Sequence, residues 1–116
     1  MRTIQQTSDI EWLVDTFYEK VFVHEQLSPF FAHLDYPKHR AKMVHFWAFV
    51  LLDVPGYTTQ VFDLHEKMHI DPPLFEVWVK VFCENVDAHF QGELAEQAKL
   101  RAKTMGWTFA EKLKNQ

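Results

Sequence analysis

The segment "YPKHRAKMVHFWAFVLL" at 36–52 constrains the fold more than any other part of the chain. His39, Met43, Phe46 and Val50 follow one another at spacings of four, three and four, so a helix gathers them on one face. Val44, Trp47 and Leu51 fall on another face. A helix that is apolar on two sides must be sandwiched between apolar partners. Pro37 suits its first turn, and "VPG" at 54–56 ends it.

The rest of the chain follows the same period. Three glycines and five prolines punctuate long stretches of 3.6-residue spacing, and no alternating strand pattern interrupts them. The expectation is an all-α chain, and 116 residues form a single domain, 1–116, around one core. A first helix opens at "SDIE", where Ser8 and Glu11 form a capping box, and carries Ile10, Val14, Phe17 and Val21 with Tyr18 at the edge. "LSPFFAHLDYP" at 27–37 reads as an irregular connection with one helical turn. A short third helix is expected from Thr59 to His69. Asp71 then caps a new helix that starts at Pro72 and carries Leu74, Phe75, Trp78, Val79, Phe82 and Val86. The last helix begins near Glu93, with Ala95, Ala98, Ala102, Met105 and Phe109 inward and its Lys and Arg residues in solvent.

Charge and cysteine usage narrow the function. A net charge of −4 lacks the basic face needed to displace counterions from phosphates, which argues against nucleic acid as a partner. The lone Cys83 excludes an internal disulfide framework and fits a reducing compartment; it reads as a small core residue. The opening "MRTIQQTSDIEW" has no signal-peptide core, and the run "FWAFVLL" is too short to span a bilayer. The expected location is cytoplasmic, with no membrane partner. The aromatic fraction, 16%, is high for a small helical core. It reads either as aromatic packing or as the lining of a large flat apolar ligand.

"HEKMH" at 65–69 is formally H-E-x-x-H, the pattern by which one helix face holds zinc beside a glutamate base. His65 and His69 do share a face, but His69 lies at a helix end forced by Asp71–Pro72. Only Glu84 offers itself downstream as a third ligand, and the chain leaves little length for a peptidase cleft. An ordinary pair of surface histidines is the plain alternative to a zinc peptidase.

"FYEKVF" at 17–22, "LSPFF" at 27–31, "HRAKMVHFW" at 39–47, "GYTTQVFDLH" at 56–65 and "LFEVWVKVF" at 74–82 stand in an order and spacing that resemble the group III truncated haemoglobins. The resemblance runs from about Asp9 to Met105. It implies a two-over-two helical sandwich around haem b. In that family the proximal histidine lies eight residues after a tyrosine and thirteen before a tryptophan; here Tyr57 and Trp78 select His65 as the iron ligand. The resemblance further implies that Phe31 stacks on the porphyrin and that Met43, Phe46, Ile70 and Phe75 line it. It puts Tyr18, His39 and Trp78 on the distal side, with Tyr18 and Trp78 donating hydrogen bonds and His39 as a gate. Lys38, Arg40 and Lys42 either hold propionates or form a solvated helix start. Two departures from the family pattern stand out. The connection between the first two long helices is short, and Thr58 follows Tyr57 where glycine is usual.

The implied activity is binding of O2, CO and NO, serving oxygen, nitric-oxide or peroxide chemistry rather than delivery. Turnover of the nitric-oxide dioxygenase or peroxidase type would need an electron donor that the sequence does not name. A passive gas binder or sensor, and a haem-free helical interaction module, are the other readings.

Overall fold

The computed structural model describes residues 1–55 and 72–114, with side chains through Trp107 except that of Pro72. Tyr57, Thr58, the expected helix at 59–69 with His65 and His69, Ile70 and Asp71 lie outside the described residues. Five helices are described: α1 (Thr7–Val23), α2 (Ser28–Phe31), α3 (Tyr36–Leu52), α4 (Pro72–His89) and α5 (Glu93–Lys114). Among the described residues there is no strand, only an isolated bridge between Arg2 and Phe90. No described helix is long and apolar enough to cross a membrane.

The two-sided character of the second long helix is borne out. On α3, His39, Met43 and Phe46 are buried on one face, and Val44, Trp47 and Leu51 on the other. Asp35 caps it by accepting from the Lys38 amide, and Pro37 occupies the first turn, where a missing N–H costs nothing. It ends at Asp53, whose φ of 60° turns the chain out of the helix.

α1 starts differently from the sequence expectation. Its cap is Gln6, not Ser8, because the Asp9 carboxylate accepts from the backbone amides of both Gln5 and Gln6, at 3.0 and 3.1 Å. Arg2 lies 3.7 Å from the same carboxylate and 4.3 Å over the Trp12 ring. A buried acid with two amides and a nearby cation outcompetes an exposed Ser8. The expected stripe is nevertheless intact: Ile10, Val14, Phe17, Tyr18 and Val21 are all buried.

The architecture is two helix pairs. α1 packs on α3, α4 packs on α5, and α1 also crosses α4 to join the pairs. The α4–α5 contact is the most extensive, because Ala95, Ala98 and Ala102 form a fully buried stripe of small residues. Gly106 extends that stripe. α5 itself is entered through Gly92, whose φ of +102° is a conformation other residues rarely adopt.

Between α1 and α4 a polar tie interrupts the apolar core. Asn85, fully buried, donates to Thr16 Oγ1 at 3.0 Å and to the Leu13 carbonyl at 3.4 Å, while its own oxygen accepts from Lys20. All its polar atoms are engaged, as burial requires.

Candidate functional site

A second buried polar contact lies on the opposite flank of α1. The Tyr18 hydroxyl and His39 Nε2 are 2.6 Å apart, and both side chains are almost wholly removed from solvent. The rings meet edge to face, with centroids 5.0 Å apart. Tyr18 is on the buried edge of α1 and His39 is in the first turn and a half of α3, so the α1–α3 packing itself brings them together. Phe31 of α2 packs against both rings, at 5.9 and 6.5 Å.

Trp78 reaches the same place from α4. Burial pushes the Tyr18 phenol well above its ordinary range, the nearby Tyr36 adds to this, and the neighbouring Trp78 works against it. Tyr18 therefore keeps its proton at any physiological pH. Three groups with polar tips, from three different helices, converge inside a cluster of buried apolar residues that also holds Phe31, Met43, Phe46 and Phe75. Trp78 and Trp47 both stack on a common partner, Phe82, at interplanar angles of 12° and 14°. The indole that meets Tyr18 is thus held in a fixed plane.

No protein-family profile matches the chain. A group 3 truncated haemoglobin of Campylobacter jejuni is 32% identical over 118 aligned positions, which cover 92% of this chain and 89% of that protein. The chain belongs to the group III truncated haemoglobins. The crystal structure of the group III truncated haemoglobin from Campylobacter jejuni superposes with a TM-score of 0.85 at 29% identity, covering 97% of this chain and 94% of that one. The architecture expected from the sequence, an all-α truncated globin, is therefore the observed one, and haem-based gas binding follows from the family.

The described residues of this truncated haemoglobin fit such a group. The fit rests on the chemistry of the donor set: a phenol, an imidazole and an indole are buried together where the surroundings are otherwise aromatic and aliphatic. A core has no packing reason to concentrate three polar tips at one spot, since each buried polar group needs a partner. Of the other expected lining residues, Phe31, Met43, Phe46 and Phe75 are buried. His65 and Ile70 lie outside the described residues.

The basic run divides. Lys38 is exposed and Lys42 half-buried, but Arg40 turns back onto α1. Its Nε and Nη2 donate to the two oxygens of Asp15 at 2.7 and 3.0 Å, and Tyr36 Oη donates to the first of them at 2.7 Å. Arg40 is therefore paired with Asp15, a contact that its reading as a propionate holder or solvated helix start did not anticipate. Sequence reading missed Asp15 and Tyr36. A signal did exist: Asp15 precedes Tyr18 by three residues, and Tyr36 precedes His39 by three. Cys83 is half-buried and its thiol is pushed up by burial, as expected of a packing residue.

Proposed function

We propose that this chain binds haem b through His65 and takes up O2, CO or NO on the opposite face, where Tyr18, Trp78 and His39 meet the ligand. The observation that carries this reading is the buried Tyr18–His39 contact at 2.6 Å. Phe31, Met43, Phe46, Ile70 and Phe75 complete the lining. Bound haem would supply an iron able to take up a diatomic ligand, and His65 is the residue that would hold it.

The protein residues divide the remaining work. Tyr18 has one hydroxyl proton, and an indole N–H is a donor only. While the Tyr18 proton is directed at His39 Nε2, a ligand competes for it. When His39 turns away, the proton is free for a partially negative ligand atom, and the path His39 covered is open. His39 thus acts as a gate, and Tyr18 and Trp78 as donors that favour O2 over the less polar CO. Donors in a site this dry retain O2, which suits nitric-oxide dioxygenase-like or peroxidase-like chemistry better than delivery. Such turnover draws on an electron donor outside this chain.

Absorbance spectra of the purified protein, oxidised, reduced and with CO, test the haem assignment. His65→Gly should lose haem or hold it only with added imidazole, while His69→Ala and Glu66→Gln should leave the reduced spectrum unchanged. Equal loss from the two histidine variants would point to a shared metal site instead.

A further inference from the structure

The Tyr18–His39 contact is the inner of two rungs between α1 and α3. The outer rung is Asp15 with Arg40 and Tyr36, described above, and its side chains are about one-third exposed: 38% for Asp15 and 34% for Arg40. On α1 the two rungs, Asp15 and Tyr18, are about one helical turn apart. Arg40 is the neighbour of His39 in sequence, and Tyr36 lies one turn before it. Tyr36 also packs its ring on Tyr18 at 5.6 Å and on Phe22 at 5.4 Å. His39 is therefore bracketed: the residues on either side of it on α3 are both tied to a single carboxylate on α1.

We propose that Asp15 is the positioning residue of the distal side, holding the first turn of α3 against α1 through Arg40 and Tyr36 and so fixing how often His39 leaves Tyr18. This rests on the reading of His39 as the gate. Ordinary exposed ion pairs do little, because two long side chains must be ordered for a screened attraction. This one differs in being two-pronged, which fixes direction as well as distance, and in recruiting a third group to the same oxygen. Its effect is geometric. With the outer rung closed, His39 can leave Tyr18 only by turning its own side chain. With the outer rung broken, the whole first turn of α3 can tilt and carry the imidazole with it. Lys in place of Arg40 retains the charge and loses the planar fork, so geometry and charge can be separated.

The test uses the full-length, haem-loaded ferrous protein with CO, labelled with 15N at histidine. His39 signals are assigned by their loss in His39→Ala. Asp15→Asn and Arg40→Gln should shift the His39 ring-nitrogen signals and raise the CO association rate by about fivefold, the scale of a modest coupling between sites. Arg40→Lys should resemble Arg40→Gln, not the native protein. Lys99→Gln, which removes exposed pairs to Asp87 and Glu96 on another face, should match the native protein in both readouts. In a His39→Ala background, Asp15→Asn should add no further acceleration. Native His39 signals in Asp15→Asn would overturn the proposal whatever the rates, as would an undiminished acceleration without His39. If the signals shift but His39→Ala leaves CO association unchanged, Asp15 positions His39 and it is the gating reading that fails.

Discussion

α1 carries a buried polar tie on each flank, and the two are built on different principles. On the α4 side, Asn85 is held by a side-chain oxygen, a main-chain carbonyl and Lys20. Two of these three partners sit in the middle of α1, where helix geometry fixes them. On the α3 side, Tyr18 and His39 meet tip to tip, each reaching the other through rotatable side chains. A polar group bound on all sides has no unmet bond to offer a third party, and it specifies packing. A bond between two rotatable side chains can be exchanged for another partner at less cost than one anchored on a helix backbone. Burial and hydrogen bonding alone do not distinguish a structural polar group from a functional one; the rigidity of the partners does.

The comparison can be broken at its strongest point by removing the Tyr18 hydroxyl. A buried hydrogen bond to a charged or strongly polar ligand is worth about 1.5–3 kcal/mol, so Tyr18→Phe should speed O2 dissociation by roughly 10- to 100-fold and CO dissociation much less. Trp78→Phe should act in the same direction, and the double variant should fall short of the product because both donors address one ligand. Stopped-flow dissociation rates decide it. A fast native rate, indifferent to both substitutions, would return the chain to passive gas binding.

The reverse experiment falls on Asn85. Asn85→Ala strands the Lys20 ammonium and leaves a void, so unfolding should become easier by about 2–3 kcal/mol in denaturant titrations. O2 and CO rates should stay near native values. A variant with native stability and altered rates would mean that both flanks of α1 serve the ligand. His39→Ala ranks next: it should raise the CO association rate several-fold by flash photolysis, with a lesser change in dissociation.

The smallest effect concerns acid. The hydrogen bond from Arg40 holds the Asp15 carboxyl below its ordinary 3.8, against burial and with help from Tyr36. A depressed carboxyl contributes stability that is present above 3.8 and fades as pH falls through the lower folded value. Any stability difference between the native protein and Asp15→Asn should therefore be constant from pH 6 to pH 4.5 and narrow only below 3.8. Urea titrations across that range measure it, and a gap that closes near neutrality would assign the effect to another group.

Fold and site were legible to different depths, for physical reasons. Period and proline placement located α3, α4 and α5, since Pro37 and Pro72 mark helix starts whatever surrounds them. The start of α1 was displaced because an acidic residue reaching backwards leaves no pattern distinct from an exposed capping box. Tyr18, His39 and Trp78 were legible as a site only as a set matching a family, and the burial of His39 depends on α1 lying across it. Arg40 resembled any lysine beside it, because its partner is 25 residues away and nothing local announces the pair. Asn85 was invisible for the same reason.

The closeness of α4 and α5 has a consequence for how this protein tolerates change. A methyl group added at Gly106 would stand 2.5 Å from Val79 Cγ2, nearer than atoms can approach. A valine on a helix has essentially one rotamer, so it cannot swing aside, and the helices must part instead. Gly106→Ala, a change that would normally favour a helix, should therefore destabilise this protein by forcing α4 and α5 apart. The seam between the two helices has no room for even the smallest side chain at that point.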